Sequence, residues 1–136
     1  PSPSGWVRDQ VEAIEAAGTT DVTSIMDRQV VLLTMIGRKT GDTLKVPLMR
    51  VEHDGRYAAV ASKGGAPDHP QWYYNLKANP DITVQDGTTV HDVRARVLEG
   101  EERAQWWDRC TAAFPPYVEY QEKTDRIIPV FVLEPR

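Results

Sequence analysis

Two adjacent cations lie between two glycines in the segment IGRKTGDTLKVP, residues 36–47. Arg38 offers a planar fork of donors and Lys39 a point charge, the two donor types that bind phosphate and carboxylate groups. Thr40 adds a hydroxyl, and Gly41 can adopt a positive φ without steric cost, so the loop can present its amides. The glycine spacing is not that of a Walker loop, which argues against nucleoside triphosphates. A polar hairpin turn explains the same residues, and this segment alone leaves both interpretations open.

A second cluster, ASKGGAPDHPQWYYNLKANP, covers residues 61–80. A strand expected to end at Ser62 leads through Lys63 into Gly64 and its neighbouring glycine, which let a flat ligand approach the backbone. A helix begins a few residues later, and its N-terminus carries a partial positive charge. This pattern is typical of cofactor sites, but a plain connection has it too, and Trp72 is most simply a core residue of the short helix.

A third cluster, FPPYVEYQEKTDR, covers residues 114–126. Tyr117 and Tyr120 share a helical face, and a phenol can both stack on a ring and donate a proton. A pair of half-buried core aromatics is the alternative interpretation. The three histidines have no metal-ligand spacing, so no metal site is predicted, and Cys110 between apolar neighbours is expected to be a small buried residue.

Hydrophobic periodicity and turn residues predict the elements that position these clusters. The predicted strands cover residues 30–36, 45–53, 57–62, 81–85, 90–99 and 127–133. The predicted helices cover residues 4–17, 70–78, 101–113 and 117–124, the second with Pro70 in its first turn and Asp68 or His69 as its cap. Because hairpins dominate the connections, we expect one antiparallel sheet, which about six short strands can close into a small barrel.

The charges are unevenly distributed. The chain of 136 residues has a net charge of −4, but residues 28–63 sum to +4 between two flanks of −4 each. The overall negative balance argues against a nucleic-acid partner. A basic region within an acidic protein instead indicates a small anionic partner.

Several features bear on location. The apolar stretch at residues 30–36 is far shorter than the roughly 20 residues of a membrane-spanning helix, and a lone Cys110 suits a reducing cytoplasm. The chain begins at Pro1 without methionine, so we expect a native N-terminal piece to be missing. The helix at residues 4–17 is expected to pack on the barrel, with peripheral contact to a membrane as the alternative, through an apolar face of Val7, Val11 and Ile14.

Taken together, TMIGRKTG, VASKGGAPDHPQWYYNLKANP and YQEKTDRIIPV resemble the deazaflavin-dependent nitroreductase family of actinobacteria, which bind coenzyme F-420. The order and spacing of the three blocks agree over residues 30–135. The resemblance implies a mainly β (α+β) split β-barrel, close to the FMN-binding pyridoxamine-phosphate-oxidase barrel, as a single domain over residues 1–136. In it, residues 1–18 form the leading helix and residues 28–136 the barrel core and coenzyme site. It also implies an oxidoreductase that passes a hydride from the reduced deazaflavin to a quinone, a nitro compound or an activated enone.

The resemblance also implies roles for individual residues. The phosphate and oligoglutamate tail of the coenzyme would be held by Arg38, Lys39, Thr40 and Gly41. The deazaflavin ring and its linker would be lined by Ser62, Lys63 and Gly64, and the site closed by Trp72, Tyr73 and Asn75. The acceptor pocket would be shaped by Tyr117 and Tyr120, with Phe114 in place of a third family tyrosine, which disfavours nitroimidazole activation. The alternatives are a coenzyme carrier without turnover and an FMN-binding reductase of similar fold, and an open split barrel is expected to form a homodimer.

Overall fold

The computed structural model describes residues 5–22, 24–25 and 28–136. The described helices are α1 (Gly5–Ala17), α2 (Gln71–Ala78), α3 (Gly100–Ala113) and α4 (Pro116–Glu122). The described strands are β1 (Ser24–Ile25), β2 (Arg28–Ile36), β3 (Thr43–Met49), β4 (Glu52–His53), β5 (Arg56–Val60), β6 (Asp81–Asp86), β7 (Thr89–Val97) and β8 (Val130–Pro135). Because β1 and β4 have two residues each, the longer strands number six, which confirms the predicted element count.

The described strands form one antiparallel sheet in the order β1-β2-β6-β7-β8-β5-β4, and β3 pairs with β2. The amide of Ala58 in β5 donates to the carbonyl of Val51, 2.9 Å away, in the segment that follows β3. This bond continues the β4–β5 pairing, so the segment from β3 to β4 pairs with β2 at one end and with β5 at the other, which closes the sheet. The prediction of an antiparallel sheet curled into a small barrel is therefore confirmed.

Alternate residues of the strands point into the barrel, as the two-residue period of a strand requires. This inner core contains Val31, Leu33, Met35, Tyr57, Ala59, Leu76, Ile82, Val84, Val93, Ala95, Phe131 and Leu133. Two aromatic side chains of α2 pack against it: the rings of Trp72 and Tyr73 lie 6.1 and 5.6 Å from that of Phe131. The helix of the second cluster is thus anchored directly on the barrel interior.

A second core lies between the outer surface of the sheet and helices α3 and α4. Val60 and Val132 contribute from the strands, and Trp106 and Cys110 from α3. Cys110 is fully buried, and this burial raises the pKa of its thiol to about 12. The prediction that Cys110 is a small buried residue is confirmed.

The first helix packs on the barrel. Val11 and Ile14 of α1 are buried against Val30 and Leu32 of β2, while the side chain of Val7 lies outside the described residues. The described apolar residues of α1 are therefore buried against β2, which gives no support to the alternative hypothesis that α1 contacts a membrane. Among the described helices, none is long and apolar enough to cross a bilayer.

The predicted strand at residues 45–53 is wrong in its extent, because it divides into β3 and β4 around Arg50. The Arg50 amide continues the β2–β3 ladder by donating to the carbonyl of Gln29, whereas from Val51 onward the chain pairs with β5. The Arg50 guanidinium binds the Asp86 carboxylate at 3.0 Å, and the Tyr57 hydroxyl donates to the same carboxylate at 2.7 Å. The predicted strand therefore divides where the chain changes its pairing partner from β2 to β5, beside this polar cluster.

The predicted start of the second helix is also wrong. Pro70 occupies the N-cap position in an extended conformation, and α2 begins at Gln71 without a side-chain cap. Asp68 cannot cap the helix because it binds the Lys63 ammonium at 3.0 Å, and the ring of His69 contacts Arg126. The loop before α2 uses its polar side chains to fix its own conformation.

Candidate functional site

The loop at residues 37–42 is closed by its own hydrogen bonds. Gly37 donates to the carbonyl of Asp42 at 2.8 Å, and Gly41 donates back to Gly37 at 2.9 Å with a φ of +76°. The Thr40 hydroxyl accepts a hydrogen bond from the Asp42 amide at 3.2 Å, so it stabilises the turn. The hairpin interpretation is therefore correct for the backbone, and the side chains decide whether the loop also binds an anion.

Arg38 fixes this loop to helix α2. Its amide donates to Oδ1 of Asn75 at 3.1 Å, and its guanidinium lies within 3.4 Å of the same oxygen and 3.5 Å of Oε1 of Gln71. The guanidinium also stacks over the ring of Tyr74, 4.9 Å from its centroid. Asn75 is only 4% exposed, so it contributes by positioning Arg38. Arg38 is exposed, so its remaining guanidinium donors face solvent.

The positive charges of residues 28–63 are not equally available. Lys45, Arg50, Arg56 and Lys63 form ion pairs with Glu15, Asp86, Glu134 and Asp68. By contrast, Arg38 and Lys39 are exposed and form no ion pair with a described carboxylate. Arg28, the remaining cation of this region, donates to the carbonyl of Ala113. Because nearby carboxylates cancel much of the field of the paired cations, Arg38 and Lys39, in a loop that also contains Asp42, are the charges most exposed to an anion.

The loop at residues 61–69 contains three consecutive residues with positive φ, Lys63 at 47°, Gly64 at 65° and Gly65 at 85°. A Cβ at Gly64 would meet nothing within 4 Å, so this backbone is open to solvent. A Cβ at Gly65 would lie 2.7 Å from the carbonyl oxygen of Tyr120, so Gly65 permits the close approach of α4. The two glycines thus have different functions: Gly64 leaves an open surface and Gly65 allows packing.

Arg126 was missed by the sequence reasoning, although it lies within the third motif block. Its Nε donates to the carbonyl of Ala66 at 2.9 Å, its Nη1 to Ala61 at 3.1 Å, and its Nη2 to Ser62 at 2.8 Å. Nη1 also lies 3.0 Å from Nδ1 of His69. One side chain therefore fixes both ends of the loop 61–69.

Tyr74 connects the two loops. The ring of His69 lies 4.2 Å from that of Tyr73 and 6.0 Å from that of Tyr74, on which Arg38 stacks from the other loop. Tyr74 is 37% exposed and was not among the predicted site residues. The structure therefore brings the first and second sequence clusters together on α2.

The tyrosines of the third cluster have different environments. Tyr117 is 5% exposed, its ring lies 4.9 Å from that of Phe114, and its burial raises the pKa of its phenol. Tyr120 is half-buried, 6.2 Å from Tyr117, and its carbonyl adjoins Gly65. The raised pKa keeps the phenol of Tyr117 protonated at neutral pH. Of the two, Tyr120 has backbone next to the loop 61–69, whereas Tyr117 packs in the outer core.

This fold and site define a class, the split-barrel proteins. A structure from Clostridium acetobutylicum in the pyridoxinephosphate oxidase family has this fold, with a TM-score of 0.52 and 14% identity over 94% of this chain and 84% of that chain. Within the class, the model of the F420H(2)-dependent quinone reductase family matches residues 6–135. The chain belongs to this family, and F420H(2) is the reduced form of coenzyme F-420.

Individual relatives agree. An F420H(2)-dependent quinone reductase of Mycobacterium tuberculosis is 37% identical over 108 residues, which cover 77% of this chain and 72% of the relative. The solved structure of an F420-H2-dependent reductase, FDR-A, is 58% identical and has a TM-score of 0.75 over 82% of this chain and 99% of that chain. A solved domain-swapped dimer is also 58% identical, with a TM-score of 0.78 over 98% of this chain and 100% of that chain.

The family resemblance stated from the three motif blocks is thereby confirmed, as are the split-barrel fold and the oxidoreductase class. The family uses coenzyme F-420, so flavin mononucleotide is the minor alternative. The assignment of individual residues to the coenzyme and to the acceptor stays a prediction.

Proposed function

We propose that this chain transfers a hydride from reduced coenzyme F-420 to a quinone, and that the coenzyme binds where the loops 37–42 and 61–69 meet on α2. The observation that carries the location is the pair of exposed cations, Arg38 and Lys39, which have no described carboxylate partner. Arg38 stacks on Tyr74, the ring that also contacts His69 of the second loop. Family membership supports the reaction.

The residues of the site fit the coenzyme. Its phosphate and oligoglutamate carboxylates require cationic donors, which the exposed Arg38 and Lys39 supply, while Lys63 of the second loop is paired with Asp68. Its flat ring system requires backbone without projecting side chains, and the open face of Gly64 provides it. When bound, the reduced deazaflavin supplies the hydride, so the chain needs no nucleophile or acid-base triad. Its residues bind, orient and shield the reacting groups.

The test is oxidation of reduced F-420 by the purified protein in the presence of a quinone, measured as recovery of the coenzyme's absorbance. We expect recovery to depend on both protein and quinone. Tight coenzyme binding without quinone-dependent oxidation would instead identify a carrier. Activated enones and nitro compounds belong in the same panel, where the buried Phe114, which has no hydroxyl, leads us to expect nitroimidazoles to be the poorest acceptors.

The predicted catalytic residues, Tyr117 and Tyr120, are proposed to contact the acceptor and donate a proton or hydrogen bond to its developing oxyanion. We expect Tyr117→Phe to lower turnover, by about 10²-fold if the phenol is a positioned acid, without changing coenzyme affinity. Tyr120→Phe tests the second phenol in the same way. Stopped-flow rates with saturating coenzyme provide the measurement.

The control for these variants is Tyr57→Phe, which removes a buried hydroxyl bound to Asp86. It should reduce stability and leave turnover unchanged. If Tyr117→Phe and Tyr120→Phe both turn over at the wild-type rate, neither phenol acts as the acid.

A homodimer is also proposed, on the support of the 58% identical relative that forms a domain-swapped dimer. Light scattering during size-exclusion chromatography measures the mass in solution, and a mass near 15.3 kDa would contradict the proposal.

A further inference from the structure

The loop 61–69 cannot hold its conformation through its own backbone alone. Lys63, Gly64 and Gly65 have consecutive positive φ values, and at Lys63, a residue with a Cβ, such a φ is intrinsically unfavourable. The internal bonds of this turn run from Gly65 to Ser62 at 2.9 Å and from Ala66 to Lys63 at 3.2 Å. Within the loop, Lys63 also binds Asp68 at 3.0 Å, and a further source of stability comes from outside the loop.

The Arg126 guanidinium supplies it. Its three nitrogens reach carbonyls on both sides of the turn, at Ala61, Ser62 and Ala66. A guanidinium has donors only, so Nδ1 of His69, 3.0 Å from Nη1, accepts and carries no proton. The described arrangement of these groups therefore requires a neutral His69.

We propose that Arg126 is a positioning residue that fixes the loop 61–69 in the conformation that receives the coenzyme, and that protonation of His69 releases this clamp and weakens coenzyme binding. The proposal rests on the proposed function, because it assigns the ring of F-420 to this loop. The proposal adds a pH-sensitive pair, Arg126 and His69, and neither residue was among the predicted site residues.

The charges around His69 make its protonation unfavourable. Burial lowers the pKa of the imidazole, and Arg126 and Lys77 lower it further, while Asp68 acts in the opposite direction but is bound to Lys63. On the α2 side its ring faces the aromatic rings of Tyr73 and Tyr74. Because the folded pKa is depressed, the clamp is intact at and above the ordinary histidine pKa and is lost as the pH falls through the folded pKa.

The test compares the wild type with Arg126→Lys and His69→Asn. Lysine keeps the charge but cannot reach three carbonyls, and asparagine keeps an acceptor near the position of Nδ1 but does not titrate. Affinity for oxidised F-420 is measured by fluorescence titration at pH 7.5 and at decreasing pH. If the competent loop falls to about one tenth of the molecules, the apparent Kd rises about tenfold.

We expect Arg126→Lys to raise Kd about tenfold at pH 7.5, and the wild type to lose affinity on acidification more steeply than His69→Asn. Ionisation of the coenzyme is common to all three proteins and cancels in the comparison. Equal affinity of Arg126→Lys and wild type, or equal pH profiles of His69→Asn and wild type, would overturn the proposal.

Amide hydrogen exchange of the coenzyme-free proteins separates this proposal from the proposed function. The amides of Gly65 and Ala66 should exchange faster in Arg126→Lys, and faster in the wild type after acidification once the intrinsic pH effect has been corrected with His69→Asn. If the wild type fails to bind F-420 but shows this exchange pattern, the proposed function fails and the clamp stands. If exchange is the same in all three proteins, the clamp is wrong.

Discussion

Replacing Arg38 and Lys39 together with alanine is expected to weaken coenzyme binding by about 10²- to 10⁴-fold. Each charged hydrogen bond contributes roughly 1.5–3 kcal/mol, and the two side chains are independent donors to the acidic part of the coenzyme. The effect should be large because these cations have no described carboxylate partner that competes with the ligand. Fluorescence titration with oxidised F-420 measures the affinity.

A control is Arg94→Ala, which also removes a positive charge. Arg94 lies in β7 and pairs with Asp81 at 2.6 Å. Its replacement should leave the affinity nearly unchanged, because the paired carboxylate already cancels much of its field. Equal loss in the control and the double variant would show that net charge, and not the loop 37–42, attracts the coenzyme.

Gly65→Ala is expected to reduce the free energy of unfolding by about 2–5 kcal/mol. The φ of 85° is unfavourable for alanine by about 1–2 kcal/mol, and overpacking against the Tyr120 carbonyl, 2.7 Å away, adds about 1–3 kcal/mol. Because that contact atom belongs to the backbone, α4 must move to accommodate the methyl group. Urea denaturation measures the change in the free energy of unfolding. Thermal unfolding should show a fall in Tm of about 10 °C or more.

Gly64→Ala is the internal comparison for this variant. Its φ of 65° brings the same backbone cost, but its Cβ would lie in open space, so the loss should stay near 1–2 kcal/mol. Its methyl group would instead project from the surface proposed to receive the coenzyme ring, so affinity should fall more than stability. Equal destabilisation by the two alanines would contradict the packing role of Gly65.

Local features of the fold could be predicted from the sequence, because they depend on neighbouring residues. The alternation in β6 and β7 and the Asp-Gly turns defined these hairpins, and the +4 region indicated an anionic partner before any contact was known. The strand at residues 45–53 was wrong in its extent since it divides where the chain changes its pairing partner from β2 to β5. Periodicity contains no information about such a partner.

The candidate site shows the same limit. The glycine loops were visible as motifs, but the contact of Arg38 with Asn75 spans 37 residues and that of Arg126 with Ser62 spans 64. The asymmetry between Gly64 and Gly65 was also hidden, because only the position of α4 distinguishes the two glycines. Motifs therefore indicated which segments form the site, and tertiary contacts determine what each residue does there.

Cys110 provides a practical consequence of the outer core. It is the chain's single cysteine, and a thiol that is fully buried with a pKa of about 12 reacts very slowly with alkylating reagents in the native protein. Reaction requires that α3 separate from the sheet. The rate at which Cys110 is labelled in the unmodified protein, followed by mass spectrometry, therefore reports how often α3 separates from the sheet, without any engineered probe.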